Sequence, residues 1–118
     1  MNIENLREYC VSKKGVTEEF PFDETTLVFK VAGKMFALTD LEGALSINLK
    51  CNPERAVELR ETYTAVRPGY HMNKKHWNTV YIDGSVPVSF IREWIDHSYD
   101  LVVASLPKKL RDELFALD

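Results

Sequence analysis

Residues 62–82, TYTAVRPGYHMNKKHWNTVYI, bring together the side chains best suited to bind phosphate groups or bases. This segment contains no Asp or Glu, although the whole chain has 18 acidic residues. Its formal charge is +3, from Arg67, Lys74 and Lys75, while the whole chain carries −3, so the remaining residues sum to −6. A basic, aromatic and acid-free segment in an acidic protein is typical of a local phosphate-binding surface.

The polar side chains of this segment suit two kinds of contact with a nucleic acid. Lysine ammonium groups neutralise phosphates, and we expect Lys74 and Lys75 to do so. Short donors reach phosphates or base edges, and the segment offers them at His71, Asn73 and His76. Few side chains suit bidentate base reading, so the pattern predicts binding of low sequence specificity.

Tyr70 and Trp77 give the segment two aromatic side chains on which bases could stack or that could insert between base steps. A large aromatic residue next to a predicted strand is usually packed in the core. For Trp77 we therefore rank the packed role slightly ahead of the binding role. The neighbouring lysines would then simply be solvated.

Further basic residues extend the predicted surface. Lys30 and Lys34 flank the first predicted hairpin, Lys50 ends the third strand, and Arg67 lies within the acid-free segment. In a sheet that meets a duplex, these side chains would contact backbone phosphates. The alternative is that they keep a sheet surface soluble, and Glu42 at the second hairpin tip makes that surface less positive.

A second candidate anion site precedes the last predicted helix. The sequence SLPKK begins at Ser105 and places Lys108 and Lys109 in a first helical turn, where the macrodipole disfavours cations. A bound phosphate would relieve this conflict through free backbone N–H groups and both ammonium groups. The alternative is that both lysines extend into water.

Metal binding and catalysis have less support from the spacing. His71 and His76 are on opposite faces of a strand or about 140° apart on a helix, so we expect no metal site and no cofactor. The chain has no nucleophile elbow and no Gly-rich phosphate loop. Asp96 and Asp100 share one helical face and could act as a paired acid and base, but polar contacts or a solvated edge suit them better. We predict a protein without enzymatic activity.

The net charge and isoelectric point of the chain restrict the way in which a nucleic acid could bind. A net charge of −3 and a pI near 5.6 argue against binding by bulk electrostatics, so binding would need a local basic patch.

Cys10 and Cys51 lack CxxC spacing, which predicts reduced, packed thiols in the cytoplasm, with a redox pair as the alternative. We see no secretory signal and no apolar run long enough to span a bilayer.

Hydrophobic periodicity and turn residues predict one α+β domain over residues 1–118, with an antiparallel sheet, helices on one face and the order α-βββ-α-β-αα. A helix over 2–14 is closed by a left-handed Gly15, and residues 18–24 form a loop pinned by aromatics. The remaining elements are three strands around 26–31, 34–38 and 45–49, a helix over 52–63, a strand over 79–83, a long helix from Pro87 and a last helix after Pro107.

Four segments, FPFDETTLVFKVAGKMFAL, CNPERAVELRETY, PGYHMNKKHWNTVYIDG and IDHSYDLVVASLPKKLR, resemble the MmcQ/YjbR family of small bacterial proteins. The resemblance covers nearly the whole chain in the same order. It implies a frataxin-like α+β fold and DNA binding through a double-wing arrangement, in which a sheet meets the duplex. It implies no catalytic residues. The first helix offers Glu4 and Glu8 but no dense acidic ridge, which argues against the iron handling of frataxins.

We therefore expect a non-enzymatic, cytoplasmic protein that binds DNA through the acid-free segment, with the hairpin and C-terminal lysines assisting. The sequence leaves the oligomeric state open, with a monomer slightly favoured. The alternative is a binding module with no nucleic-acid role. Its acidic FPF loop would dock a basic partner, or its exposed sheet face would hold a small anionic metabolite.

Overall fold

The computed structural model of the protein describes residues 1–117; Asp118, the last residue of the predicted domain, lies outside them. The helices are α1 (Ile3–Val11), α2 (Pro53–Thr62), α3 (Val88–Ser105) and α4 (Lys108–Phe115). The strands are β1 (Val16–Glu19), β2 (Thr26–Val31), β3 (Lys34–Asp40), β4 (Ser46–Lys50), β5 (Val66–Pro68) and β6 (Trp77–Tyr81). They form one antiparallel sheet in the order β1-β2-β3-β4-β6-β5. The predicted α+β class and order of elements are confirmed, and β1 and β5 are added to them.

Side-chain caps fix where two of the helices begin. In α1 the Asn2 side chain accepts from the backbone N–H of Asn5 at 2.8 Å, and the Asn5 side chain accepts from that of Asn2. In α2 the Asn52 side chain accepts from the Glu54 N–H at 3.0 Å, and Pro53 occupies the first helical position. These contacts satisfy backbone donors that have no partner within the helix.

The sheet has two different faces. One face packs against the helices, and its main core cluster joins residues of β2, β4 and β6 to residues of α1 and α3, among them Phe29, Ile47, Val80, Leu6, Ile91 and Ile95. On the opposite face Val28, Leu38 and Trp77 form a smaller buried cluster with Met35 and Met72. We call this second side the open face.

The two strands that were missed are short and lie at the edges of the sheet. Strand β1 is VTEE, within and just before the segment predicted to be a loop, and β5 is the three-residue VRP. Neither is long enough to show a period-2 pattern, and Pro68 is tolerated because an edge strand needs fewer backbone donors. Helix α1 also ends at Val11 instead of near residue 14, while Gly15 has the predicted left-handed backbone, with φ of +72°.

Both cysteines are free and buried, as predicted for packed thiols. Burial raises the pKa of the Cys10 thiol to about 12 and raises that of Cys51 as well. These thiols are therefore protonated and weakly reactive at neutral pH. Among residues 1–117, no helix combines the length and the apolar character that crossing a membrane requires.

A single buried hydroxyl connects α3 to the centre of the sheet. The Ser98 side chain donates to the carbonyl oxygen of Phe36 in β3 and accepts from the backbone N–H of Lys50 in β4, the latter at 2.8 Å. Ser98 is fully buried. It therefore satisfies two backbone groups of the sheet, one in a buried and one in a partly buried hydrogen bond.

We predict that Ser98→Ala lowers the free energy of unfolding by about 1–3 kcal/mol, because one buried and one partly buried backbone group lose their partner. Chemical denaturation monitored by circular dichroism would measure this loss. Ser105→Ala is the matched control, since Ser105 is exposed and donates only to the Val102 carbonyl of its own helix. Equal stability of the two variants would contradict the bridging role of Ser98.

The imidazole of His97 is half-buried between α3 and the start of α2. Burial, followed by the nearby charge of Arg55, lowers the pKa of His97, while Asp100 and Glu93 act in the opposite direction without cancelling this effect. The Nε2 atom accepts from the backbone N–H of Asn52 at 3.4 Å, a contact that needs a neutral ring. The folded state therefore favours the neutral imidazole.

This shift predicts an acid-sensitive contribution of His97 to stability. A depressed pKa in the folded state means that the unfolded chain takes up the proton first, so the contribution is complete above the unfolded pKa of about 6.5 and is lost as the pH falls below it. We expect the melting temperature of His97→Gln to fall less steeply than that of the wild type as the pH is lowered from 7 through the folded-state pKa. Parallel curves from thermal melts across that range would contradict this prediction.

Candidate functional site

The segment between β5 and β6, residues 69–76, crosses the open face, and we call it the covering loop. Its first residue is held by a hydrogen bond from the Gly69 N–H to the carbonyl oxygen of Trp77, at 2.9 Å. The next N–H, of Tyr70, donates to the Thr79 hydroxyl at 2.9 Å. A Cβ atom at position 69 would lie 2.8 Å from the Trp77 Cβ, so only glycine allows this close approach.

Asn73 organises the second half of the covering loop. Its side-chain oxygen accepts from the Lys75 N–H at 2.9 Å, and its carbonyl oxygen accepts from the N–H groups of His76 and Trp77. This side chain therefore builds the turn that leads back into β6. It has less freedom to contact a base edge than the sequence suggested.

Trp77 is not a surface residue. Its side chain is only 8% exposed and packs with Val28 and Leu38 under the covering loop. The assignment of Trp77 to a base-stacking surface is therefore wrong, and the packed role is correct. The ring is the support on which the loop rests.

Tyr70 and His71 are the exposed rings of the covering loop. Tyr70 is 68% exposed, and its ring centroid lies 4.0 Å from that of His71. The backbone of His71 is left-handed, with φ of +59°, a conformation that costs energy in a residue other than glycine. His76, by contrast, is half-buried. Of the two histidines proposed as donors, His71 is the more accessible.

The two lysines of the loop differ in their contacts. The ammonium group of Lys74 donates to the carbonyl oxygen of Gly69 at 3.1 Å, so it helps to close the loop. Lys75 has an exposed side chain, and Arg67 is exposed on the edge strand β5. Across the sheet, Arg67 is paired with Thr79, next to the anchor of the covering loop. The loop and β5 thus present their cations on neighbouring parts of the surface.

The remaining sheet lysines are not equivalent. Lys50 lies opposite Trp77 in the β4–β6 ladder, on the side of the sheet that the covering loop occupies. Lys34 is exposed at the tip of the β2–β3 hairpin, and strand β4 separates this hairpin from β6 in the sheet. Lys30 pairs with Glu19 of the adjacent strand β1, which neutralises its charge locally. The sheet therefore does not present a uniformly positive surface.

The candidate anion site before α4 is largely occupied by internal contacts. The Ser105 hydroxyl donates to the Val102 carbonyl at 2.7 Å, and the Lys108 ammonium pairs with Asp112 one turn further on, also at 2.7 Å. This ion pair offsets the unfavourable position of a cation at the start of a helix. Of the three proposed residues, only Lys109 retains an exposed side chain without such a contact to residues 1–117.

Of the two carboxyl groups proposed as a pair on α3, that of Asp96 makes structural contacts. Asp96 accepts from the Tyr9 hydroxyl at 2.7 Å and pairs with Lys13, while Asp100 is exposed. Burial and this hydrogen bond raise the pKa of Tyr9 to about 12. For Asp96 we predicted polar contacts in preference to an acid–base role, and these polar contacts are present.

A groove of about 360 Å³ remains on the open face, between the covering loop and the loop that precedes β2. Met35, Leu38 and Met72 form the apolar part of its lining, and Phe22 and Tyr70 line it from the two loops. Its polar side chains are those of Asp23, Thr26, Asp40, Asn48 and His71. We call this the open-face groove. Its residues come from four separate segments, so no local motif predicts it.

The comparisons with known proteins agree with this architecture. The chain is 39% identical to the uncharacterized protein YjbR of Escherichia coli K12 over 118 residues, which is 99% of this chain and 100% of that protein. It is similar to the crystal structure of the Deinococcus radiodurans protein DR2400, with a TM-score of 0.92 and 43% identity over 99% of this chain and 90% of that one. A Pseudomonas syringae protein matches with a TM-score of 0.74 and 28% identity, over 86% of this chain and 98% of the other. The family model described as YjbR matches residues 11–101. The chain therefore belongs to the YjbR family.

Proposed function

We propose that the protein binds DNA without acting as an enzyme, through the outer side of the covering loop and the edge strand β5. The observation that carries this proposal is the grouping of Arg67, Lys74 and Lys75 on adjoining exposed segments of an otherwise acidic chain. Within residues 1–117 none of these three cations pairs with a carboxylate. Their charges are therefore available to neutralise phosphates.

The side chains on the two sides of the covering loop have different roles in this proposal. Lys74 uses one of its three N–H donors on the Gly69 carbonyl and keeps two for a phosphate. The exposed ring of Tyr70 can stack on an unpaired base or rest against a sugar. Trp77 supports the loop from below and makes no contact with the nucleic acid.

The hairpins β2–β3 and β3–β4 would serve as the wings of a double-wing arrangement, with Lys34 reaching a more distant phosphate. Lys30 contributes little because Glu19 neutralises it. The carboxylates of Asp23 and Asp40 line the open-face groove and repel phosphates from it. We therefore propose that DNA lies against the loop and β5 instead of across the centre of the sheet.

We assign this activity to the cytoplasm, because both cysteines are free thiols, as is usual in a reducing compartment. The alternative function, a small-molecule or protein-binding module, has its own support in the open-face groove. The charge of that groove opposes the anionic metabolite that the sequence led us to consider.

The predicted affinity depends on salt in a way that can be calculated. Each neutralised phosphate contributes about −0.9 to the slope of log K against log salt, so the three cations of the loop and β5 together with Lys34 predict a slope of about −3.6. Arg67→Gln/Lys75→Gln removes two of these four cations and should reduce the slope to about −1.8 and the affinity by at least tenfold at low salt. Fluorescence anisotropy with a labelled duplex across a salt series would measure both quantities.

The matched control is Lys14→Gln/Arg92→Gln, which removes one exposed lysine and one exposed arginine from the part of the molecule around α1 and α3. It changes the net charge by the same amount and should bind like the wild type. Equal losses in the two double variants would mean that binding follows net charge and not this surface. No binding by the wild type even at low salt would reject DNA as the ligand.

A further inference from the structure

We propose that the open-face groove binds a small organic cation, an amine or guanidinium attached to an apolar or aromatic body. This site adjoins the DNA-binding surface proposed above and shares the Tyr70 ring with it, but it does not depend on DNA binding. The groove volume of about 360 Å³ lies within the range of roughly 300–1,000 Å³ that small-ligand sites occupy. Its lining combines negative charge, aromatic rings and an apolar floor, and each of these features selects for such a ligand.

The charge of the groove is negative. Asp23 and Asp40 line the groove. Within residues 1–117, no lysine or arginine lines it. The backbone N–H groups of Thr25 and Thr26 donate to Asp23 and hold the pKa of that carboxyl below its usual value, so it remains ionised at neutral pH. An anion in the groove would be repelled, whereas a cation would be attracted.

Asp40 provides the carboxylate oxygen that is free for direct contact. One of its oxygens accepts from the Glu42 N–H at 2.9 Å and fixes the orientation of the group. The other oxygen makes no hydrogen bond to the part of the chain that the structure describes. A carboxylate that is held by one oxygen and open at the other is well suited to accept from an ammonium or guanidinium group.

Two exposed aromatic rings, from two different loops, line the groove. Phe22 is 65% exposed and Tyr70 is 68% exposed, and both line the groove. The face of an aromatic ring attracts a cation, and the same ring covers the apolar part of a ligand. The flexible side chains of Met35 and Met72 can adjust to the shape of that part.

Further groups at the groove are placed for contact with a ligand. The Asn48 side-chain oxygen is occupied by the Thr79 hydroxyl, so its amide nitrogen is the group left for a ligand acceptor. His71 lines the groove in its left-handed backbone conformation. Backbone strain of this kind is concentrated at ligand-binding positions. The groove thus offers both a carboxylate acceptor and an amide donor above an apolar floor.

Three probes of nearly equal size and different charge test this proposal: 2-phenylethylamine, 2-phenylethanol and phenylacetate. Each is titrated into the full-length protein without nucleic acid, and binding is followed by amide chemical shifts in two-dimensional NMR. We expect the amine to shift the signals of Met35, Asn48 and His71. We also expect it to bind about tenfold more tightly than the alcohol, because a tenfold difference corresponds to about 1.4 kcal/mol of charge interaction. We expect phenylacetate to bind most weakly.

Asp40→Asn removes the charge and keeps the turn, because the Asn side chain can accept from the same N–H. It should weaken the amine about tenfold and leave the alcohol unchanged. Asp83→Asn is the matched control, since Asp83 makes the same kind of turn contact, accepting from the Ser85 N–H at 2.9 Å, and does not line the groove. Phe22→Ala should weaken the amine and the alcohol together.

Several results would overturn the proposal. They are the absence of shifts at the groove with the amine, equal affinities for amine and alcohol, or equal effects of Asp40→Asn and Asp83→Asn. Binding of an arginine-containing peptide at the groove without binding of the amine would replace the small cation by a basic protein partner. Because the DNA-binding variants leave the groove residues unchanged, failure here is distinguishable from failure of the nucleic-acid proposal.

Discussion

The packing of Trp77 on the side of the sheet away from the helices is the constraint on which the candidate surfaces depend. An indole on that face would be exposed to water unless another part of the chain covered it, and the segment 69–76 does so, with Met72 packed against the same cluster. The close approach of the loop requires a glycine at position 69, where a Cβ would collide with Trp77. The loop is therefore shaped by a hydrophobic contact, and its charged residues are placed as a consequence.

The covering loop separates two chemistries that would otherwise interfere with each other. Its outer side and the adjoining β5 carry Lys75 and Arg67, whereas Tyr70, His71 and Met72 line the groove together with Asp23 and Asp40. A phosphate is attracted to the first surface and repelled from the second. A protein with a net charge of −3 can therefore present basic side chains on one surface, although Glu61 and Asp83 each line a pocket that Arg67 also lines.

Local signals were sufficient for most of the fold. Asn52 and Pro53 mark the start of α2, and the alternation in 26–31 and 45–49 identifies strands, because caps and side-chain periods are properties of neighbouring residues. The strands β1 and β5 were missed because three or four residues carry no such period, and their pairing is supplied by the rest of the sheet. The burial of Trp77 was favoured from the sequence, but the loop that covers it was not foreseen.

The candidate site was harder to foresee because its decisive contacts join distant segments. The acid-free segment identified the loop and its cations, but composition does not reveal that Lys74 closes the loop or that Glu19 neutralises Lys30. The acids near FPF suggested docking of a basic partner, and the groove places one of them, Asp23, opposite the covering loop. Asp23 and Asp40 both accept backbone N–H groups in turns, as many turn aspartates do. Their shared position at one groove is a property of the sheet register, which pairs Thr26 with Asp40, and this pairing converts two ordinary turn residues into a single negative site.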